Sequence, residues 1–411
     1  MKKYDVIVVG GGPGGFCAAA AAAKAGARTL LVERYGFLGG MATAGLVNPF
    51  MGYKLGGKNT TNPVFNDFIG RMAAAGALDA GRHIFDDEYM KYALDAMMDD
   101  YNVDVLLHAK FLAPVMDGPR IKAVKLDCKE GQVKASGKVF VDSTGDGDLA
   151  AMAGADVEVG RDEDGLCQPM TLCFRVGGID AGLIDRDYKA FRQELNTIYL
   201  KAKAEGRMEC PRENVLVFRT LVPSILHFNT TRVVKTSGIT SAGLTASEIE
   251  ARRQAIAFVD LFKKESPAFK NAYLLKLACQ IGVRETRRVM TPYAVSEADV
   301  VEGRKHADGI AKSTYPIDIH SPTGEGTVIR HVPKDDWYEI PYRCLVPLAV
   351  ENLVIGARCI SSTHAGHSSL RVMPVVASVG EAAGLAAARA AKQGIAPAAV
   401  NGTELKKELG L

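Results

Sequence analysis

Neither sign of charge dominates this sequence. Its 411 residues include 50 Lys and Arg against 47 Asp and Glu, which leaves a formal net charge of +3. Proteins that bind nucleic acid usually carry a larger basic excess, and binding to single strands also uses aromatic side chains among the basic ones. With a single Trp and 7% aromatic residues, the composition predicts no nucleic-acid partner.

Paired cysteines and metal-ligand clusters are also missing from the sequence. None of the eight cysteines belongs to a CxxC pair, and the histidines and acidic residues show no ligand spacing. These absences argue against a structural zinc, a dithiol redox site and any other bound metal. Glycines interrupt the apolar run that follows Lys2 and Lys3, so no signal peptide is expected, and the unpaired cysteines then predict a cytoplasmic protein.

Long apolar runs are absent, whereas glycine is abundant. No window reaches the roughly 20 apolar residues of a transmembrane helix, so no membrane span is predicted. The length predicts two or three domains of about 150 residues each. The 42 glycines predict many tight turns and places where two backbone segments come close together.

The first 33 residues show the pattern of a dinucleotide site. Residues 4–9 form an apolar, β-branched run, typical of a strand buried in a parallel sheet. Gly10, Gly12 and Gly15 spell GxGxxG, an alanine-rich helix is predicted over 13–25, and a second strand over 29–32 precedes Glu33. The glycines let a pyrophosphate approach the helix N-terminus, and Glu33 can bond the ribose hydroxyls.

Further motifs give most of the chain a family resemblance. After GGGPGG and Glu33-Arg34 come GG-x-x-T at 39–43, a strand ending in STG within 139–155, and a closing strand, glycine turn and helix at 352–391. These motifs resemble the FAD-dependent oxidoreductases with a glutathione-reductase-like flavin domain. The chain looks most like the broad family known simply as FAD-dependent oxidoreductases, which is distantly related to the fumarate reductase and succinate dehydrogenase flavoproteins.

This resemblance implies a fold class and a domain arrangement. The expected fold is α/β: a Rossmann-like FAD-binding domain of the glutathione-reductase-like type, with a β-meander, plus an inserted α+β substrate domain. The FAD-binding domain is expected to be discontinuous, over 1–157 and 338–411, with the substrate or cap domain at 158–337. A long helix is predicted from 371 to 389, with its N-terminus directed at the flavin ring.

The resemblance also implies which residues surround FAD. They belong to the glycine turn, the ribose position, the second glycine pair, the backbone near adenine, the STG segment and the loop before the last long helix. These residues are Gly10, Gly12, Pro13, Gly14, Gly15, Glu33, Arg34, Gly39, Gly40, Met41, Ala42, Thr43, His108, Ala109, Ser143, Thr144, Gly145, Gly356, Arg358, Ser369, Leu370, Arg371 and Val372.

Candidates for the chemistry lie near the ring end of this expected site. His364 and His367 are two of only eight histidines, and three roles stay open for them: proton transfer, a covalent link to flavin that could also involve Cys359, and structural hydrogen bonding. Arg284 and Arg371 complete the catalytic candidates. By resemblance, Arg284 would clamp a substrate carboxylate or donate a proton to a polarised alkene. The pocket candidates are Tyr315, His320, Asn48 and Pro49.

The predicted activity is hydride transfer between flavin N5 and a small organic substrate, with an unidentified electron donor or acceptor restoring the flavin. Its direction stays open, because oxidation would use a histidine base and reduction an arginine or histidine acid. Two alternatives also stay open: a redox-neutral flavoprotein of hydratase or isomerase type, and a flavin-free binding module on the same fold. The intact Glu33, second glycine pair and STG segment argue against the binding module. Homo-oligomer formation is left open.

Overall fold

Runs of β-branched and apolar residues form the strands of the protein. The computed structural model describes residues 3–411, and its first two strands coincide with the two predicted around the glycine turn. In chain order the strands are β1 Lys3–Val9, β2 Thr29–Val32, β3 Lys54–Leu55, β4 Lys58–Asn59, β5 Leu78–Asp79, β6 Ile84–Phe85, β7 Asp104–Leu106, β8 Lys110–Asp117, β9 Arg120–Cys128, β10 Gly131–Asp142, β11 Val157–Val159, β12 Phe174–Gly177, β13 Val217–Arg219, β14 Leu226–Phe228, β15 Tyr273–Leu277, β16 Arg287–Val289, β17 Gly309–Ser313, β18 Ile317–His320, β19 Thr327–Arg330, β20 Tyr338–Pro341 and β21 Leu353–Ile355.

Most helices begin at a proline or after a capping side chain. Pro13 opens the first helix, and the Asp86 carboxylate accepts hydrogen bonds from the Glu88 and Tyr89 amides at the start of the third. In chain order the helices are α1 Pro13–Lys24, α2 Pro63–Ala74, α3 Asp87–Asp100, α4 Asp148–Met152, α5 Ala181–Arg186, α6 Tyr188–Ala204, α7 Ser241–Glu265, α8 Glu297–Val301, α9 His364–Leu370, α10 Met373–Gln393 and α11 Gly402–Glu408.

One mixed sheet carries the glycine turn. Its order is β7-β2-β1-β10-β9-β8, with β21 also paired to β10. β1 is parallel to β2 and β10, and β10 is parallel to β21. The first half of β10 pairs antiparallel with β9, which pairs with β8, so the predicted β-meander runs directly into the parallel sheet. The prediction of an α/β fold with a parallel, Rossmann-like sheet is therefore confirmed.

Two glycine- and alanine-rich helices, α1 and α10, pack against each other beside this sheet. A Cβ at Gly380 would lie 2.0 Å from the Gly14 carbonyl oxygen, and one at Gly384 would lie 1.9 Å from the Ala18 carbonyl oxygen. Larger residues would therefore force the helices apart. This close approach explains the small side chains in both segments.

The prediction of a helix over 371–389 is wrong for its first residues. The chain forms α9 first, breaks at Arg371 and Val372, and begins α10 at Met373. Pro374 explains the break, because proline has no N–H with which to continue the hydrogen-bond ladder of α9. Among residues 3–411, α9 and α10 together are long and apolar enough for a membrane span, but they are bent by 94° at this break, and no single helix qualifies.

A second sheet lies outside the first unit. Its order is β13-β14-β12-β15, and its core is built from phenylalanines of the sheet and of α7, including Phe174, Phe228 and Phe258. By contrast, Val289 of β16 and both Ile310 and Ala311 of β17, which all belong to the predicted inserted segment, pack into the core of the first sheet. The predicted boundary at residue 338 thus does not coincide with the division between hydrophobic cores, and the domain assignment stays a prediction.

Candidate functional site

Gly12, Gly14 and Gly15 of the first turn have different surroundings. A Cβ at Gly14 would lie 1.9 Å from the Gly356 carbonyl oxygen, and one at Gly15 would lie 1.8 Å from the Gly10 carbonyl oxygen. At Gly12, the nearest atom would be 3.8 Å away, on Gly40. Gly12 therefore borders open space, and it is also the N-cap of α1, where no side chain caps the first amides. Such free N–H groups suit an anionic pyrophosphate.

Glu33 sits at the end of β2, where the Rossmann pattern places a ribose ligand. Its carboxylate is buried and accepts hydrogen bonds from the Gly11 amide at 2.7 Å and the Tyr35 amide at 3.0 Å. Each carboxylate oxygen has a second lone pair, so ribose hydroxyls can still donate to it. The two amides fix the carboxylate at the rim of the cavity described next.

A single cavity of about 610 Å³ runs from the glycine turn to the second sheet. This is within the range of roughly 300–1,000 Å³ typical of ligand sites. Many of the residues that the family resemblance assigned to FAD line it. They are Gly10, Gly12, Pro13, Gly14, Glu33, Arg34, Gly40, Met41, Ala109, Ser143, Thr144, Gly145, Arg358, Arg371 and Val372.

The other residues assigned to FAD lie outside the lining of the cavity, and two of them hold neighbouring backbone by side-chain hydrogen bonds. The Thr43 hydroxyl donates to the Leu38 carbonyl oxygen at 2.7 Å, and the Ser369 hydroxyl donates to the Tyr315 carbonyl oxygen at 2.6 Å. His108 is exposed, with a left-handed backbone and its ring against Gly36. The residues outside the lining are Gly15, Gly39, Ala42, Thr43, His108, Gly356, Ser369 and Leu370. Their predicted roles stay predictions.

The STG segment is held by a buried carboxylate. Asp142 accepts hydrogen bonds from the Thr144 amide at 3.0 Å, the Thr144 hydroxyl at 2.7 Å and the Ala150 amide at 2.8 Å. Burial raises the pKa of Asp142 to about 6. The Ser143 hydroxyl donates to the Gly356 carbonyl oxygen at 2.9 Å. These bonds fix the turn between β10 and α4 against the chain that follows β21.

The opposite end of the cavity is rich in arginine. Arg284 donates to the Pro169 carbonyl oxygen and to the Thr171 hydroxyl, both at 2.7 Å. Burial, together with the positive charges of neighbouring arginines, lowers the pKa of Arg284 to about 9. Arg371 Nη2 lies 3.4 Å from Asp318 Oδ2, which also accepts a 2.9 Å hydrogen bond from the Tyr315 hydroxyl. This end therefore combines proton-donating groups with an excess of positive charge.

His320 lines the arginine-rich end in a neutral form. Its Nδ1 lies 3.1 Å from Arg232 Nη2, and because arginine can only donate, Nδ1 is the acceptor and the ring proton resides on Nε2. Burial, reinforced by the surrounding guanidinium charges, lowers the pKa of His320 far below its usual range. His320 is thus a poor carrier of an additional proton.

The two histidines predicted as catalytic lie behind the cavity wall. His364 Nδ1 is 2.8 Å from the buried Glu285 carboxylate, which also accepts a 2.9 Å bond from Arg288. Although burial opposes ionisation, the bond from His364 lowers the pKa of Glu285 to about 2. The buried His367 donates from Nε2 to the Arg284 carbonyl oxygen at 3.0 Å, and burial lowers its pKa to about 4. The hydrogen bond from His367 thus holds the Arg284 backbone in place.

Several lining residues were not identified from the sequence. Arg212 comes from the loop before β13, Asp318 from β18 and Gln280 from the loop after β15, and no spacing links them. Asp318 lies in the segment YPIDIH at 315–320, of which the sequence analysis identified only Tyr315 and His320 as pocket candidates. The additional lining residues with polar side chains include Tyr35, Asp146, Thr171, Arg212, Glu213, Gln280, Asp318 and Thr327. The pocket candidates Asn48 and Pro49 also line the cavity.

The open side of Gly12, the uncapped amides of α1 and the buried Glu33 together fit a dinucleotide of the FAD type. The sequence profile of the family described as FAD dependent oxidoreductase matches residues 5–409. The chain belongs to this family. FAD is accordingly its cofactor, and the protein is a FAD-dependent oxidoreductase, as the sequence predicted.

Solved structures with a similar chain arrangement are distant in sequence. A geranylgeranyl bacteriochlorophyll reductase-like protein from Thermoplasma acidophilum is 13% identical over 100% of this chain and 83% of that chain, with a TM-score of 0.48. A p-nitrophenol 4-monooxygenase from Pseudomonas putida DLL-E4 is 13% identical over 100% and 84%, with a TM-score of 0.49. A myxobacterial chondrochloren halogenase is 14% identical over 100% and 78%, with a TM-score of 0.47. No curated protein matched the chain. These similarities carry no conclusion about the substrate.

Proposed function

We propose that this oxidoreductase transfers a hydride between FAD and a small organic anion bound at the arginine-rich end of its cavity. One observation carries the proposal: the same cavity is lined by Gly12 and Glu33 at one end and by Arg284 and Asp318 at the other. A substrate at the second end would therefore share the cavity with the cofactor. When bound, FAD supplies a ring position, N5, that can accept or release a hydride.

The substrate end is supplied mainly by the segment 158–337, which supports its proposed role as an inserted α+β substrate domain. Thr171, Arg212, Arg284 and Asp318 come from this segment, whereas Arg371 comes from the break between α9 and α10. Positive charge from several directions favours an anionic substrate. The buried wall also limits water access and so strengthens electrostatic interactions.

Arg284 is the proposed proton-exchanging residue. Its pKa of about 9 makes its guanidinium a better acid than an ordinary arginine, and its hydrogen bonds to Pro169 and Thr171 fix its position. When the substrate is reduced, Arg284 would donate the proton that accompanies the hydride; in the reverse direction it would accept it. His367 acts as a positioning residue through the Arg284 carbonyl oxygen.

The proposal is tested by anaerobic stopped-flow spectroscopy of the FAD-loaded protein. Photoreduced protein is mixed with a panel of unsaturated carboxylates, and oxidised protein with the corresponding saturated acids, while flavin absorbance is followed. We expect flavin oxidation or bleaching, and slower bleaching when the transferred hydrogen of the saturated acid is replaced by deuterium, because its C–H bond breaks in the hydride transfer. In Arg284→Gln the rate should fall by about 10²–10⁴, the usual contribution of a positioned acid or base.

The pH dependence and a matched control sharpen this test. In the reductive direction, protonated Arg284 is required, so the wild-type rate should decrease above about pH 9, and this limb should be absent in Arg284→Gln. The control Arg253→Gln changes a side chain that is 75% exposed on α7 and should behave as wild type. Substrate turnover with no change in flavin redox state would instead support the redox-neutral alternative.

A further inference from the structure

Arg212 is a buried cation without a partner in the cavity wall. The residue is only 2% exposed and lines the cavity, yet its guanidinium donates no hydrogen bond to any residue of the described chain, 3–411. Its Nε and Nη1 atoms are also shielded from solvent. A buried guanidinium that keeps its charge normally has an anionic or hydrogen-bonding partner, because an unpaired one is costly. We propose that Arg212 binds a carboxylate group of the substrate.

The nearby carboxylates do not supply this missing partner. Glu213 accepts hydrogen bonds from Thr327 at 2.8 Å and lies 2.9 Å from Arg232. Asp318 is bonded to Tyr315 and Arg371. With His320 neutral, these two carboxylates are outnumbered by the four arginines that act on that histidine, namely Arg212, Arg232, Arg284 and Arg371. Arg232 and Arg371 take these two carboxylates, which leaves Arg212 and Arg284 without a carboxylate partner among the described residues, so a ligand anion at Arg212 would reduce the positive excess.

The backbone around Arg212 is held in place independently of any ligand. Its carbonyl oxygen accepts hydrogen bonds from the Tyr199 hydroxyl at 2.7 Å and from Lys203 Nζ at 2.8 Å, both on α6. Tyr199 also donates to the Cys210 carbonyl oxygen at 3.0 Å. The main chain is thus fixed by other side chains, which leaves the guanidinium free for a ligand. Its planar donors match the planar geometry of a carboxylate.

The proposal rests on the proposed function in placing the substrate in this cavity, but it can be tested without turnover. The FAD-loaded protein is titrated with propionate, with its neutral isostere propionamide and with inorganic phosphate, by calorimetry and by the flavin difference spectrum. We expect propionate to bind and propionamide to bind at least about tenfold more weakly, since a hydrogen bond to a charged group is lost. Tighter binding of phosphate than of propionate would overturn the assignment to a carboxylate.

The decisive comparison is Arg212→Gln against the exposed control Arg253→Gln. We expect Arg212→Gln to weaken propionate binding by about ten- to hundredfold and Arg212→Lys to weaken it less, whereas Arg253→Gln keeps wild-type affinity. Unchanged propionate affinity in Arg212→Gln would overturn the proposal. If propionate affinity is unchanged in Arg212→Gln but hydride transfer persists, the proposed function stands. If propionate binding depends on Arg212 but no flavin chemistry occurs, only the proposed function is overturned.

Thermal stability separates ligand binding from a structural role. Because the Arg212 guanidinium makes no hydrogen bond to the described residues, Arg212→Gln should leave the melting temperature of the ligand-free, FAD-loaded protein unchanged or higher. It should also abolish the rise in melting temperature that propionate causes in the wild type. A variant that melts several degrees lower without ligand would identify Arg212 as a structural residue and contradict the proposal.

Discussion

At the residue scale, the glycines of the GxGxxG motif differ in backbone conformation and in the space around them. In GxGxxG, Gly10 has a φ of +101°, and a Cβ at Gly15 would lie 1.8 Å from the Gly10 carbonyl oxygen. The backbone alone therefore requires glycine at both positions. Gly12 has an ordinary φ of −71° and free space beside it, so an alanine would be tolerated there in the absence of a ligand. We therefore expect any requirement for glycine at this position to come from the cofactor.

This difference gives a test at one residue. Gly12→Ala should weaken FAD binding by about ten- to hundredfold, because its methyl group occupies the space beside the α1 amides where the pyrophosphate accepts hydrogen bonds. The unfolding free energy of the FAD-free protein should stay within about 0.5 kcal/mol of wild type. Titration with FAD and urea unfolding measure the two quantities. Gly15→Ala is the contrasting variant, whose FAD-free form should itself be destabilised, and equal FAD affinity of Gly12→Ala and wild type would contradict this account.

Local spacing explains why some site residues were predictable and others were not. Glu33 follows a strand at a fixed distance from the glycine turn, so the motif alone identified it. Arg212, in the loop before β13, and Asp318, in β18, line the same cavity only because the fold brings together two segments that are far apart in the chain. For His364 and His367 the sequence was misleading. Two histidines close together indicated chemistry, but they hydrogen-bond to Glu285 and to the Arg284 backbone and lie outside the lining of the cavity.

At the scale of elements, the contact between α1 and α10 depends on missing side chains. The alanine- and glycine-rich composition predicted both helices, but the sequence did not reveal that Gly380 and Gly384 face the α1 backbone. The break before Met373 was also missed, although Pro374 explains it. The break matters for the site because Arg371, Val372 and Met373 reach the cavity there.

The helix contact can be tested with two glycine substitutions. Gly384→Ala puts a Cβ 1.9 Å from the Ala18 carbonyl oxygen, so we expect it to lower the unfolding free energy by about 1–3 kcal/mol. Gly70→Ala in α2 is the control, because a Cβ there meets no atom within 4 Å and alanine favours helix by up to about 1 kcal/mol. Urea unfolding of both variants measures the difference. A stabilised Gly384→Ala variant would show that the two helices pack less closely.

At the scale of the whole molecule, the cavity joins a cofactor end that the family pattern predicted in detail to an arginine-rich end of which the sequence identified only some residues, among them Arg284, Tyr315 and His320. The parallel sheet and its glycine turn follow from short-range patterns. The arginine-rich end is built largely by β12–β19 and their loops, and these short, irregular strands carry little periodic signal. The lining of the cavity also decides how FAD can be attached, since only side chains that reach the cavity can form a covalent bond with FAD.

We expect FAD to be bound without a covalent link. The groups considered from the sequence lie outside the lining: Cys359 is fully buried with a pKa raised by burial, and His364 and His367 bond to other residues. Cys173 does line the cavity, but burial raises the pKa of its thiol to about 12, so reactive thiolate is scarce at neutral pH. Acid precipitation of the yellow protein should release all of the flavin absorbance into the supernatant. Flavin fluorescence in the pellet would contradict this expectation, and its loss in Cys173→Ser, but not in Cys359→Ser, would identify Cys173 as the attachment point.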